Sequence, residues 1–188
     1  MLLYHAGHHR LPEPDIRIGR KNADFGQGFY LSPSDEFAGK WVREQKNERA
    51  WVNAYELDLS GLRVRRLRRD EDWFDYIFRN RSGLPDRYGE DDVIIGPIAN
   101  DTIYNTLGIF TSGLLPKEQA LSLLQIGPAY EQIAIKTDRA RAQLRWFSAR
   151  ELEEDEVAAM RALLLREEAE YQQALAEAFA AWDSSHAP

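Results

Sequence analysis

Short strand-like segments bounded by glycine, proline or serine turns recur along the first 147 residues, and they restrict the chain to folds that contain a sheet. The predicted strands cover residues 2–5, 29–31, 52–59, 93–95 and 132–136. Helical patterns lie between them at residues 33–47, 71–81 and 117–125. Strands with helices inserted among them predict an α+β fold around an antiparallel or mixed sheet.

The boundaries of several elements follow from local residue chemistry. Ser32 is predicted to cap the helix at 33–47, with Pro33 at its first position. The strand at 93–95 is expected to stop at Gly96-Pro97, and residues 137–147 fit either an edge strand or a turn. Residues 71–81 place four apolar side chains on one helical face: Trp73, Phe74, Ile77 and Phe78.

The composition changes near residue 150, where Ala, Glu, Leu and Arg become dominant. Apolar residues then recur at helical spacing from Val157 to Trp182, which predicts one amphipathic helix of about 30 residues. We therefore divide the chain into a domain at 1–149 and a helical extension at 150–188. The extension either packs on its own domain, the commoner arrangement, or seals an interface with a partner.

Composition excludes several classes of protein. The chain has no cysteine, which rules out a disulfide scaffold and a thiolate site, and suits a reducing compartment. Neither a signal peptide nor a membrane-spanning stretch is expected, so we predict a cytoplasmic protein without a membrane partner. The net charge of −7 gives no general attraction to nucleic acid, although a nucleic-acid partner stays open.

Three segments carry side chains suited to binding a ligand. In GQGFYLS (26–32), Gly26 and Gly28 allow a close backbone approach, and Tyr30 is placed to stack on a flat heterocycle. His5 lies in LYHAG, and Gln132 lies near the start of the strand EQIAI. Taken singly, GQGFYLS and His5 are better explained by a structural role in a turn or a core.

Together these segments resemble the ADP-ribosyltransferase superfamily in its His-Tyr-Glu branch, which includes diphtheria toxin and the PARP-like enzymes. The chain is more similar still to a bacterial family, DUF3990. The shared segments are LYHAG (3–7), DFGQGFYLS (24–32), VNAYELDL (52–59), DWFDYIFRNR (72–81), DVIIGPIANDTIY (92–104) and EQIAIKT (131–137). The resemblance covers about residues 1–147 and implies an ADP-ribosyltransferase-like split β-sheet core with inserted helices, beside the long C-terminal helix.

The resemblance also implies that the chain binds NAD as a substrate. His5 would bond a ribose hydroxyl, the backbone of Ala6 would hold the nicotinamide amide, and Tyr30 would stack on the nicotinamide ring. Further residues expected around the cofactor are Gly7, Gly26, Gly28, Ser32 and Arg81. Arg81 could reach the pyrophosphate because arginine matches phosphate oxygens, but a solvated helix end explains it equally well.

Gln132 occupies the position of the superfamily's catalytic glutamate. A neutral amide can orient a ribose, but it supplies no negative charge to an oxocarbenium-like state. Asp101 is a candidate for the missing acid, although an Asn-Asp pair after Gly-Pro is also ordinary turn chemistry. No metal is expected, because His5, His8 and His9 have no fourth ligand at a recognisable spacing.

The function implied is mono-ADP-ribosylation of an unknown macromolecular acceptor. Proteins of this kind are often bacterial toxins held in check by an antitoxin, for which the C-terminal helix or the mouth of the site would be a natural surface. Two alternatives remain: an NAD glycohydrolase on the same scaffold, and a non-catalytic NAD or ADP-ribose sensor.

Overall fold

Seven strands and four helices make up the part of the chain that the computed structural model describes, namely residues 1–40, 42, 49–99, 122 and 126–186. The strands are β1 (Leu2–Gly7), β2 (Phe29–Leu31), β3 (Ala50–Leu57), β4 (Val64–Arg66), β5 (Val93–Pro97), β6 (Glu131–Ile135) and β7 (Leu144–Leu152). The helices are α1 (Asp35–Lys40), α2 (Glu71–Arg81), α3 (Asp138–Ala142) and α4 (Glu154–His186). The predicted α+β class is therefore confirmed.

The strands form two sheets that meet at one point. One sheet has the order β1-β3-β7 and is antiparallel throughout. The other has the order β2-β6-β5-β4, in which only β5 and β4 run parallel. An isolated bridge joins β1 to β2, with the N–H of Tyr4 and of Ser32 each donating to the other's carbonyl at 2.8 Å. The two sheets thus lie side by side at Tyr4 and Ser32.

Helix α2 covers the four-stranded sheet with the apolar face that its sequence predicts. Trp73, Phe74 and Ile77 are buried, while Phe78 is partly buried against the same cluster. Asp70 caps the helix by accepting a hydrogen bond from the N–H of Trp73. Burial of these large side chains contributes most of the energy that holds a helix of this length in place.

The start of α1 differs from the prediction that Ser32 caps a helix beginning at Pro33. Both backbone groups of Ser32 are bonded to Tyr4, so Ser32 still belongs to the strand pairing. The cap is Ser34, whose Oγ accepts from the N–H of Phe37 at 3.1 Å, and the helix begins at Asp35. The predicted helix end at residue 47 lies outside the described residues.

Strand β5 continues past its predicted end. Gly96 pairs with Gln132 and Pro97 with Glu131, so the Gly-Pro dipeptide is part of the strand. A proline is tolerated there because backbone bonding to the neighbouring segment resumes at the next residue, where the N–H of Ile98 donates to the carbonyl of Tyr130 at 2.7 Å. The carbonyl of Pro97 accepts from Nε1 of Trp73 at 2.8 Å. The helix predicted at 117–125 falls almost wholly outside the described residues.

The C-terminal helix α4 has 33 residues, as its periodic pattern predicts, and packs on its own domain along its first half. Met160 and Val157 pack beside Ala50 of β3, and Gly39 of α1 leaves the space that the Met160 side chain fills. Strand β7 pairs at the edge of its sheet and runs on to Leu152 before α4 begins. The division of the chain at residue 149 stays a prediction.

Candidate functional site

A cleft of about 220 Å³ opens where the two sheets meet, beside α1. The residues around it come from distant parts of the sequence: Tyr4, His5, Ala6, Arg20, Ala23, Asp24, Tyr30, Leu31, Ser32, Phe37, Ala38, Arg81, Ala99 and Gln132. The fold therefore brings together most of the side chains that the sequence analysis selected. Gly7, Gly26 and Gly28 are not among the lining residues, and Asp101 lies outside the described part of the chain.

His5 is held by the backbone of the neighbouring strand. Its Nδ1 lies 2.8 Å from the carbonyl oxygen of Tyr30, and its ring centroid lies 4.6 Å from that of Phe29. A carbonyl only accepts, so Nδ1 carries the hydrogen and Nε2 keeps its lone pair. Burial lowers the pKa of the His5 imidazole although this hydrogen bond favours the charged form. His5 thus enters the cleft as a neutral ring with an acceptor nitrogen.

The N–H and C=O groups of Ala6 face the cleft because backbone groups alternate in direction along β1. Both backbone groups of Tyr4 are bonded to Ser32. Successive residues of a strand direct their N–H and C=O groups to alternate sides, so Ala6 directs its pair to the same side as Tyr4. At Ala6 that side faces the cleft, and no strand among the described residues pairs with it there. One residue therefore presents a donor and an acceptor next to each other.

Tyr30 is fixed by the turn that precedes it. Its hydroxyl accepts from the N–H of Phe25 at 2.9 Å and donates to the carbonyl of Gly26 at 2.7 Å. Burial, together with the charge of Asp24, raises the pKa of this hydroxyl, which therefore remains a donor. The ring lines the cleft in one fixed orientation.

The two glycines of the GQG turn are needed for packing. Gly26 has a φ of 74°, and a Cβ there would come within 2.9 Å of both Asp86 Oδ2 and Lys136 Nζ. A Cβ on Gly28 would lie 2.7 Å from the carbonyl oxygen of Ile135. The positive φ disfavours a side chain at Gly26, whereas at Gly28 the backbone at the end of β6 leaves no space for one.

Asp24 is the buried charged residue of the cleft that the sequence analysis did not select. The side chain of Arg81 donates to Oδ1 through two nitrogens, with Nε at 2.7 Å. Oδ2 accepts from the N–H of Ala99 at 3.0 Å and from Nε2 of Gln132 at 3.1 Å. The Asp24 carbonyl accepts from Nδ2 of Asn80 at 2.9 Å. A carboxylate that is 7% exposed thus joins three elements at the base of the cleft.

The positions of Gln132 and Arg81 follow from Asp24. Gln132 is 8% exposed, and its amide nitrogen is committed to the carboxylate. The Arg81 side chain is also 8% exposed and is held by the same group. Asp24 opens the segment DFGQGFYLS, but its partners are 57 and 108 residues away in sequence. The sequence signal for Asp24 was its position two residues before Gly26. The local sequence does not identify its partners Arg81 and Gln132.

The wall of the cleft at α1 is supported by α4. Phe37 lines the cleft, and its ring stacks on Tyr130 with centroids 3.9 Å apart. Lys40 Nζ donates to the Tyr130 hydroxyl at 3.0 Å and to Glu167 Oε1 at 2.8 Å. Burial opposes ionisation of Glu167, but hydrogen bonds from Lys40 and Tyr130 outweigh it and lower the pKa of this carboxyl.

The described part of the chain has neither a cluster of metal ligands nor a membrane-spanning helix. Among those residues, no three His, Asp or Glu side chains are grouped so as to hold a metal ion. In the same part of the chain, no helix combines the length and the apolar character needed to cross a bilayer.

Most of the chain matches a known protein family. Residues 1–146 match the family described as "Protein of unknown function (DUF3990)". The matched region contains β1 to β6 and every residue named above around the cleft, and it ends within β7. Comparison with curated proteins finds no match.

Proposed function

The chain belongs to the DUF3990 family, and we propose that its cleft binds NAD and that the protein transfers ADP-ribose from NAD to a macromolecule. One observation carries the proposal. His5, Ala6, Tyr30 and Gln132 come from three segments that resemble the ADP-ribosyltransferase superfamily, and all four line a single cleft. Segments selected for a shared ligand would need to meet in this way.

The nicotinamide group fits the side of the cleft formed by β1 and β2. Its carboxamide needs one acceptor and one donor close together, and the backbone of Ala6 offers both. Its ring needs a flat apolar surface, which the fixed ring of Tyr30 offers. The methyl group of Ala6, where the superfamily has glycine, leaves this backbone contact intact.

The ribose fits between His5 and Gln132. The acceptor nitrogen of His5 would take a hydrogen bond from one ribose hydroxyl, and the amide oxygen of Gln132 from another. A cavity of about 220 Å³ is smaller than most ligand sites, so the adenylate end of NAD would extend outside it. Arg20 is exposed beside the cleft, whereas Arg81 is occupied by Asp24. We therefore move the proposed pyrophosphate contact from Arg81 to Arg20.

The proposed reaction breaks the bond between nicotinamide and C1′ of the ribose. The electron pair leaves with nicotinamide, and an acceptor nucleophile then bonds to C1′ and loses its proton to solvent or to a base. Positive charge develops on the ribose in between, and stabilising it is the main electrostatic task. Gln132 can orient this ribose, while the charge of Asp24 is largely offset by Arg81.

The pairing of Asp24 with Arg81 also favours a second candidate. A sensor that binds NAD or ADP-ribose without cleaving it needs the pocket but no free carboxylate beside the ribose. An NAD glycohydrolase, with water as the acceptor, remains the third. A role as a toxin restrained by an antitoxin, acting in the cytoplasm, belongs to the first proposal. It rests on the resemblance and on a cysteine-free chain that suits a reducing compartment.

Incubation with NAD labelled in its adenylate phosphate, together with a bacterial lysate, separates the three functions. Label in macromolecules supports the transferase, free labelled ADP-ribose supports the glycohydrolase, and bound but intact NAD supports the sensor. The cleft variant His5→Ala should lose the signal, whereas His9→Ala, on an exposed residue of the next loop, should keep it. Absence of NAD binding by the intact protein would refute the proposal.

A further inference from the structure

The Gln132 side chain has only one orientation that suits its surroundings. Its amide has a donor end and an acceptor end, which are close to equal in shape. The atom 3.1 Å from Asp24 Oδ2 must be the donor, because an ionised carboxylate only accepts. Reversing the amide would place two oxygens against each other in a site where Gln132 is 8% exposed.

The carboxylate that imposes this orientation is itself held in place. The guanidinium of Arg81 binds Oδ1, and the N–H of Ala99 occupies Oδ2 beside Gln132. Asp24 therefore cannot turn away without leaving a buried cation and a buried backbone N–H without this acceptor. The amide nitrogen is consequently directed to the base of the cleft, and Oε1 is the polar atom left for a ligand.

We propose that Asp24 is a positioning residue that orients Gln132, so that the amide oxygen accepts a hydrogen bond from a hydroxyl of the bound ligand. Identification of that hydroxyl as one on the ribose of NAD rests on the proposed function. The pair Asp24–Gln132 would then stand where a single glutamate stands in the superfamily that the chain resembles. The amide makes the contact, and the carboxylate behind it prevents the amide from reversing.

We expect Gln132→Glu to weaken the binding of NAD. This change would put a carboxylate about 3 Å from Asp24, where like charges repel strongly in a poorly hydrated site. The single variant should therefore bind NAD at least 10-fold more weakly than the natural protein. Adding Asp24→Asn converts the pair back to one amide and one carboxylate, and should recover part of that loss. A role of Asp24 in stability alone predicts instead that the second change adds to the damage.

The orientation can be measured without NAD, by NMR of the Gln132 side-chain NH2 group, whose signals are identified by their loss in Gln132→Glu. We expect slower hydrogen exchange than at the exposed Gln172, and a large change of chemical shift in Asp24→Asn. Asp92→Asn, which removes a 3% exposed carboxylate at the other end of the β5–β6 pairing, is the matched control and should leave these signals in place.

The outcomes distinguish the two proposals. A perturbed Gln132 NH2 together with a 10-fold or greater loss of NAD affinity in Asp24→Asn, but unchanged affinity for nicotinamide alone, supports both. Gln132 NH2 signals that depend on Asp24, in a protein that does not bind NAD, support the positioning role and refute the proposed function.

Two results overturn the positioning role. The first is unchanged Gln132 NH2 signals in folded Asp24→Asn. The second is exchange in the natural protein as fast as at Gln172, which overturns the role even if the variant does not fold.

Discussion

Tyr30 has two functions that belong to different parts of its side chain. The hydroxyl joins Phe25 and Gly26, which shapes the turn before β2, and the ring forms part of the cleft. Loss of the hydroxyl should therefore affect folding, whereas loss of the ring should affect both folding and binding. Two substitutions can separate these contributions.

We expect Tyr30→Phe to lower the free energy of unfolding by about 1–3 kcal/mol, because two buried backbone groups lose their partner. NAD affinity should change less than about 3-fold, since the ring remains. Tyr30→Ala should lose at least a further 1 kcal/mol of binding. Urea denaturation measures the free energy of unfolding, and calorimetry measures NAD affinity.

Tyr55→Phe is the control. It removes the hydroxyl bonded to Leu11 at 2.7 Å outside the cleft, and it should lose stability without losing NAD affinity. A Tyr30→Ala protein that is folded and binds NAD normally would contradict the placement of the nicotinamide.

His5 gives the molecule a dependence of stability on pH. Burial lowers the pKa of its imidazole in the folded state below the ordinary 6.5, so the unfolded chain binds its proton more readily. The stabilisation is present in full above about 6.5 and is lost as the pH falls from there to the folded value. We expect urea denaturation at pH 7.5, 6.5 and 5.5 to show a shallower decline for His5→Asn, whose amide can keep the bond to the Tyr30 carbonyl. His9→Asn should decline as the natural protein does.

The residues of the cleft were only partly predictable from sequence. His5, Ala6, Tyr30 and Gln132 lie in segments whose local chemistry suggests a ligand, and the structure places all of them around one cavity. Asp24 could not be identified in the same way, because a buried carboxylate is recognisable only when its partners are known. Those partners are brought to it by α2 and β6, and no local pattern records that pairing.

At the level of elements, α4 acts on the cleft through α1. Glu167 holds Lys40 and Tyr130, and Tyr130 supports the ring of Phe37 in the cleft wall. The side chain of Lys40 is only 3% exposed, so its charge depends on this carboxylate, with Glu36 at 3.8 Å as a weaker partner. The helix thus contributes to the site although none of its residues lines it.

We expect Glu167→Gln to lower the free energy of unfolding by about 1–3 kcal/mol, because the Lys40 cation loses its nearest counter-charge in a poorly hydrated position. NAD affinity should fall as well, since the support of Phe37 is weakened. Glu168→Gln changes an exposed neighbour on the same helix and is the matched control. Equal effects of the two substitutions in urea denaturation and in NAD titration would show that the contact with α1 has no energetic role.

Sequence patterns predicted most of the helices and strands because residues close together in the chain determine these elements. The apolar stripe of α2 and the long repeat of α4 are set by neighbours in the chain, and both are confirmed. The predicted start of α1 was wrong because Ser32 and Ser34 are equally suitable as caps of the helix. The choice between them is made by Tyr4, which engages the backbone of Ser32 from another strand.

In the molecule as a whole, the folded region extends further along the chain than the family match does. The match ends at residue 146, whereas β7 pairs with β3 along its length up to Leu152, opposite Ala50. Among the residues whose side chains are described, Tyr171 of α4 is the last buried one. The folded unit therefore extends well beyond the region that defines the family.

We expect a fragment of residues 1–146 to lose cooperative unfolding. It lacks most of β7, and it leaves Lys40 and the apolar surface around Ala50 uncovered. A fragment of residues 1–177 keeps Glu167 and Tyr171, and should unfold in one transition close to that of the whole chain. Circular dichroism during thermal unfolding tests both fragments. A cooperative transition in the shorter one would show that α4 is an independent appendage.

The bridge between Tyr4 and Ser32 has a consequence for association with other chains. Beyond it, no strand in the described part of the chain pairs with β1 at Ala6 on that side, which amounts to a sheet edge inside the protein. Open edges on a protein surface recruit strands from other molecules and promote aggregation. This one borders a cavity of about 220 Å³. We therefore expect this edge to be less accessible to a strand from another chain than an edge on the outer surface of the protein would be.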